Sequence, residues 1–234
     1  GLRARARCED WTLFGEKVEV TDKYSYLGTE TRNNPNNWSP HLTKTSKEAS
    51  KHSTDLAWMC HQDKGIRPRT ACTLWKALIR PKLEYAAELW SGQIPKYLAD
   101  TAEGIQTSFA RAVLGISQSG QGVAHDFVRA ELGLEPIQAR WAKLRLGYWR
   151  RIWVAKPHGL LYQVARFRRR EVLQGNAVLG SCSWMRHIAV DLRKHNLPSV
   201  VNLSPISPFT ITLAIESSYS TSTILIKLSP KFIT

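Results

Sequence analysis

Between Glu135 and Glu171 the chain carries ten lysines and arginines and no acid, with Trp149, Trp153 and Tyr162 set among them. Side chains of these types do one kind of chemistry together. Guanidinium and ammonium groups pair with backbone phosphates, and aromatic rings stack on unpaired bases. The segment therefore reads as a candidate nucleic-acid contact, carried by Arg140, Lys143, Arg150, Arg151, Arg168, Arg169 and Arg170. The plain alternative is that the rings are core and the cations are solvated, and both readings stay open on sequence alone. A second basic set, Lys44, Lys47 and Lys51 with His52, lies on a lightly apolar segment that suits either a solvated face or a phosphate backbone. Arg3, Arg5 and Arg7 alternate near the start and suit an exposed arm or a phosphate contact.

Covalent and metal chemistry find no comparable footing. Asp, Glu and His occur singly, so no triad or carboxylate pair is assigned from spacing and no catalytic residue is named. Cys8, Cys60, Cys72 and Cys182 form no CxxC pair, which excludes a disulfide framework or a structural zinc site as the reading. His41, His52 and His61 lack tight ligand spacing and read as surface or helix-end histidines. No metal or cofactor is expected in the chain. The formal charge of +14, from 33 Lys plus Arg against 19 Asp plus Glu, makes a polyanion the natural partner. No apolar run before the tail is long enough to span a bilayer, and the N-terminus is not a signal peptide. The expectation is no membrane partner and an intracellular site, nuclear or cytoplasmic, which also fits the cysteine usage. The chain begins with Gly rather than Met, which suits a piece of something longer; it is expected to be monomeric or part of a longer polypeptide.

The elements that position these residues follow from periodicity. The chain is 234 residues long and 43% hydrophobic, enough core for one domain or two small ones. WTLFGEKVEV alternates around Gly15 and predicts a hairpin, with Tyr24, Tyr26 and Leu27 as a third strand ending at Gly28. One or two of these residues are expected to face a core. Ser39-Pro40 marks a helix start, with Ser39 as cap, and the helix runs to Cys60. In RTACTLWKALIRPKLEYAAELW, Leu74, Leu78 and Ile79 with Trp75 make one apolar face; Arg80-Pro81 should end or kink it. Leu83, Ala86, Ala87 and Trp90 then make a second. Tyr85 and Glu88, three apart, can share a neighbour. Residues 95–115 predict one or two helices with Gly115 as the C-cap, and Phe127, Val128 and Leu132 face inward before Gly133. Glu135-Pro136 opens a helix whose stripe is Ile137, Trp141, Leu144, Tyr148 and Ile152. Leu160, Leu161, Val164 and Phe167 start another, and residues 181–195 a short last one. Beyond residue 196 the sequence is rich in Ser, Thr and Ile and low in charge. It reads either as a hairpin or as unfolded, aggregation-prone sequence, the second being preferred. The predicted fold is mainly α, a bundle-like helical body with a small N-terminal antiparallel β element (α+β overall). Its parts are 1–29, a β region; 30–115, a helical domain; 116–195, a basic helical domain; and 196–234, a tail.

Three separated features resemble the C-terminal part of a reverse transcriptase from a non-LTR retrotransposon. They are YSYLGT at Tyr24–Thr29 after its hairpin, IRPKLEYAAELW at Ile79–Trp90, and the series Gln106, Arg111, Leu114-Gly115 followed by ELGLEPI at Glu131–Ile137. Together they span about residues 11–155. Their order and spacing, rather than any one of them, carry the resemblance. It implies that residues 1–29 follow a polymerase palm, that 30–115 is thumb-like and that 116–195 is a linker domain. The partner it implies is RNA or an RNA/DNA template-primer, with Arg69, Lys76, Arg80 and Lys82 near the primer-template backbone. The motif positions Tyr26, Leu27, Gly28, Pro81, Tyr85, Glu88, Trp90, Gly133, Pro136 and Trp141 are read as structural. Polymerisation in that family uses two metal ions on palm carboxylates, including an aspartate pair, and such metals sit about 4 Å apart. This chain has no Asp-Asp pair, so Mg would belong to a palm outside it. The chain alone is expected to be inactive as a polymerase. The function expected is that of a fragment gripping template-primer or element RNA. The alternatives are a stand-alone helical RNA-binding module and a helical protein-interaction domain with an incidental basic surface.

Overall fold

Two short antiparallel ribbons precede the helices in a computed structural model. It describes residues 12–17, 21, 23–26, 28–32, 37–61, 65–117, 123–154, 159–173, 184–197 and 214–215, without the side chains of 23, 26, 31, 32 and 168–173. Strand β1 (Thr12–Leu13) pairs with β2 (Glu16–Lys17) across Phe14-Gly15. Both turn residues have positive φ, the geometry that matches strand twist in a tight hairpin. Strand β3 (Lys23–Tyr26) does not join them as a third strand. It pairs forward with β4 (Thr29–Arg32), with Tyr26 opposite Thr29, so Gly28 lies in a turn rather than at a strand end. Of the ribbon residues, one or two of which are expected to face a core, Leu13, Phe14 and Tyr24 are exposed, and the Tyr26 side chain lies outside the described residues. Val18, Val20 and Leu27 lie outside the described residues.

The rest of the described chain is mainly helical, as its periodicity predicts. Helix α1 (Ser39–Cys60) starts one residue earlier than expected: Trp38 is the cap residue and accepts the first helical bond, from Leu42 at 3.1 Å. The Ser39 amide donates to the Asn37 side chain at 3.3 Å, so Ser39 is held by a cap rather than acting as one. Leu42, Ala49 and Leu56 are buried on α1 as its thin apolar stripe predicts, but Trp58 and Met59, expected to continue that stripe, are exposed, and His41 is only 2% exposed and is no surface histidine.

Arg80-Pro81 does not break its helix. Helix α2 (Pro68–Leu74) widens into a π turn (Trp75–Ile79), and α3 (Arg80–Glu84) follows directly. The Arg80 amide donates to Trp75 five residues back. That wider turn makes room where a proline ring would press on the carbonyl four residues before it, and where its missing N–H would leave a gap. The extra residue also resets the phase. Trp75, Ile79 and Leu83 are buried four residues apart, while Leu78, expected on the same face, is exposed. The break falls later, at Tyr85 (ψ 121°) and Ala86, which sits in the left-handed region at φ 55° before α4 (Ala87–Trp90).

Helix α5 (Lys96–Val113) packs along α1 and buries Leu98, Ala102, Phe109 and Val113; Phe109 stacks on Trp75 at 4.6 Å between ring centroids. Gly115 and Gly133 close α5 and α6 (His125–Glu131) with positive φ, as expected, and the following amides reach back to Arg111 and Arg129. Phe127 on α6 is exposed, against expectation; Val128 alone of the three expected inward residues is fully buried. Helix α7 (Ile137–Val154) links two hydrophobic clusters. Ile137 and Trp141 complete the first with α1–α5. Leu146, Trp149 and Ile152 build the second with Ala165 of α8 (Leu160–Leu173) and Met185, Ile188 and Leu192 of α9 (Trp184–Lys194). Leu197 and Ile215 are buried there too, so two residues of the tail expected to stay out of the core join it. Apart from these two and from Asn196 and Ala214, that tail lies outside the described residues.

Candidate nucleic-acid interface

The basic residues of the two predicted contact segments meet different fates. On α1, Lys44, Lys47 and Lys51 recur at three and four residues and so share one face. All three are exposed, and none forms an ion pair among the described residues. Lys47 and Lys51 line a groove of about 620 Å³ between α1 and α5 with Thr43, Ser46, Ser50, Tyr97, Leu98, Thr101 and Ile105. Arg69 is exposed and Lys76 half-buried; both border a second hollow, of about 460 Å³, which also has Glu131 in its wall. Lys82 is half-buried and has no ion pair among the described residues.

On α7 the first three cations are tied down. Arg140 forms a fork on Glu84, with Nε donating to Oε1 at 2.9 Å and Nη2 to Oε2 at 3.2 Å. That hydrogen-bonded carboxylate pushes the guanidinium pKa above its ordinary range. Arg80 approaches the same Glu84 at 3.6 Å. Lys143 donates to Glu135 at 2.9 Å. Arg145 is buried, with Nε donating to Asp191 at 2.6 Å and Nη1 to the Ser91 hydroxyl. Arg151 lies over the Tyr148 ring at 5.4 Å, and Arg150 is half-buried. The local absence of acids is therefore offset at Arg140, Lys143 and Arg145, to which α3, the α6–α7 turn and α9 supply carboxylates, whereas Arg150 and Arg151 have no ion pair among the described residues and the buried Arg150 Nε has no hydrogen-bond partner there. Arg168, Arg169 and Arg170 belong to α8, but their side chains lie outside the described residues.

The aromatics of the same segment mostly meet one another. Trp149 is buried and sits edge-on to Trp153 at 4.8 Å, and Trp153 is edge-on to Tyr162 at 5.3 Å. Trp149 is thus core, and Trp153 is half-buried against it. The ring missed by sequence reading is Tyr97, which is 63% exposed beside the α1 lysines. Its signal was present: it falls just off the Leu98, Ala102, Phe109 stripe, directly after Lys96.

The motif residues between Leu83 and Trp90 do structural work through tryptophan. Reversal of the chain at Tyr85-Ala86 strands three carbonyls, and each receives an indole N–H. Trp141 donates to Leu83 at 2.9 Å, Trp90 to Tyr85 at 2.8 Å and Trp184 to Glu88 at 2.6 Å. His41 also bonds the Tyr85 backbone, although burial holds its pKa below the ordinary value. The Tyr85 ring lies near Gly28, so the β3–β4 turn meets the helix break here. Pro81 and Tyr85 are exposed, Glu88 half-buried and Trp90 fully buried, edge-on to Trp141 at 5.0 Å. Gly92 lies against His187 of α9, where any Cβ would come within 2.7 Å of that side chain.

Two buried polar residues of the third motif series also bond backbone. Gln106 donates to the Glu135 carbonyl at 2.8 Å, and Arg111 to Ser117 at 3.1 Å and Val123 at 2.7 Å. Half-buried Pro136 precedes α7, whose Gln138 amide is met by Glu103 at 2.9 Å. Burial raises the thiol pKa of Cys60 and Cys72. Among the described residues no three His, Cys, Asp or Glu side chains converge as a metal site, and no helix is long and apolar enough to cross a membrane. Compared with protein-family models, with curated proteins and with solved structures, the chain matches none.

Proposed function

We propose that the chain is a non-catalytic nucleic-acid-gripping module, of the kind expected of the thumb and linker of a retrotransposon reverse transcriptase without its palm. The observation that carries this reading is the unpaired basic face of α1, where Lys44, Lys47 and Lys51 stand exposed on a protein of formal charge +14. Cations that find no carboxylate in their own fold repel one another, and phosphates relieve that repulsion. RNA or an RNA/DNA template-primer, at an intracellular site, is the partner this reading takes. The test is RNA binding across a salt series by wild type and by K44Q/K47Q/K51Q. Each lost phosphate contact is expected to lower the slope of log affinity against log salt by roughly 0.7 to 0.9. Weak, non-saturating binding by the wild type would sink the reading. Templated, Mg-dependent nucleotide incorporation by the pure chain would overturn its non-catalytic part.

One observation favours the protein-interaction alternative. Leu160, Leu161, Val164 and Phe167 on α8 are 78%, 47%, 48% and 58% exposed, an apolar stripe in the midst of arginines. Salt-independent self-association or partner capture, abolished by L161E/F167E and unaffected by the α1 replacements, would move that alternative ahead.

A further inference from the structure

We infer that the groove between α1 and α5 is a single-strand subsite, in which an unpaired base lies against Tyr97 while its phosphates meet Lys47 and Lys51. This deepens the nucleic-acid reading above and rests on it. Four features of the groove point the same way. Its basic side is regular: Lys47 and Lys51 are one helical turn apart, about 6 Å along the axis, so they face a single backbone rather than spread over a broad surface. Its other side suits a flat apolar group: Tyr97 is 63% exposed, in a lining it shares with Leu98 and Ile105. Between the two run hydroxyls of Thr43, Ser46, Ser50 and Thr101, which suit the sugar and phosphate oxygens of the strand. The Ser46 Oγ is buried in the groove wall and has no hydrogen-bond partner among the described residues.

Charge decides the polarity of the occupant and shape decides its form. No Asp or Glu lines the groove; Glu48 and Asp100, exposed on the same two helices, fall outside its lining. An anionic ligand is favoured. A paired duplex hides its base faces in the stack and would present only phosphates and groove edges to Tyr97. An unpaired strand offers a π-face for every nucleotide, which the tyrosine can cover without regard to sequence. A volume of about 620 Å³ is the size of a small-molecule pocket, suited to one or two nucleotides rather than the width of a double helix.

The experiment measures fluorescence anisotropy of the full chain with two probes of equal phosphate count, a labelled oligouridylate and an RNA hairpin whose fully paired stem is closed by a non-nucleotide linker. Tyr97 is exposed, so Tyr97→Ala leaves the fold intact, and its melting curve checks this. Y97A is expected to weaken oligouridylate binding by roughly 5- to 150-fold, the range of one lost base–ring stack. Y97F, which keeps the ring, is expected to bind like wild type, and hairpin affinity is expected to stay unchanged in both variants. K47Q/K51Q is expected to flatten the salt slope for the oligouridylate by roughly 1.4 to 1.8. Unchanged oligouridylate affinity in Y97A, or an equal loss on both probes, overturns the subsite and leaves general nucleic-acid binding standing. Absence of binding to both probes by the wild type at low salt removes the nucleic-acid reading itself.

Discussion

Helices α1 and α7 are both basic in sequence, yet the three lysines of α1 stay unpaired while the first three cations of α7 are bonded to acids. Lys44, Lys47 and Lys51 stand exposed on α1, whereas Arg140, Lys143 and Arg145 on α7 are bonded to Glu84, Glu135 and Asp191. The difference lies in what each helix packs on. Helix α7 threads between two hydrophobic clusters, so its flanks are half-buried and a cation there needs an acid to offset desolvation. Helix α1 turns a full side to solvent, where an ammonium group is hydrated without a partner. A long acid-free stretch therefore reports local composition, and free charge is decided by residues elsewhere in the chain. Two of the α7 partners lie 56 and 46 positions away.

The comparison breaks most sharply at the buried pair. Asp191→Asn strands the Arg145 charge between α7 and α9, where the two side chains are only 8% and 11% exposed. A loss of about 3–5 kcal/mol is expected in urea unfolding. A change as small as that of a surface replacement would show that α7's cations are as free as α1's. Next in size is Trp141→Phe, which leaves the Leu83 carbonyl without its indole donor and should cost about 1–3 kcal/mol. K44Q/K47Q/K51Q should change stability by no more than about 0.5 kcal/mol while lowering the salt slope of RNA binding by about 2 to 3. R140Q/K143Q should do the reverse, lowering the melting temperature with little effect on that slope. If R140Q/K143Q flattens the slope more than the α1 triple does, the ranking of the two regions is inverted.

The smallest expected effect is on pH dependence. His41, His187 and His195 all titrate below the ordinary 6.5, first because burial disfavours the imidazolium. As pH falls through 6.5 the unfolded chain takes up these protons before the folded chain does. Stability is therefore full above that pH and declines below it, until the folded histidines protonate in turn. Melting temperatures compared between neutral and mildly acidic buffer should show the decline, and H41Q should reduce its steepness.

Much of the fold was legible because helical periodicity is a local property. The starts and ends of α1, α5 and α7 were visible in Pro40, Gly115 and Glu135-Pro136 to within a residue or two. What failed depended on distant or unusual backbone. Pro81 looked like a helix end or kink; a π turn just before it absorbs it, and the true end at Ala86 carries no glycine to mark it. Tyr24 and Tyr26 looked like a third strand, but a strand's partner is not written in its own alternation. In the candidate site the lysines were legible as an i, i+3, i+7 pattern. Tyr97 had only a local signal, its place just off the α5 stripe, and it is the packing of α5 on α1 that brings it to their side. The Arg140 and Arg145 ion pairs had no local signature at all.

The tryptophan-capped turn has a consequence for motion. A single helical turn such as α4, set beside a left-handed alanine, would ordinarily be among the first parts of a protein to open. Here Trp184 of α9 bonds the Glu88 carbonyl of α4, Trp90 and Trp141 bond the Tyr85 and Leu83 carbonyls just before it, and both hydrophobic clusters must loosen before those bonds are released together. The turn thus belongs to the cooperative unit that opens last, and the amides of Leu89 and Ser91 are expected to exchange with solvent deuterium at the rate of global unfolding.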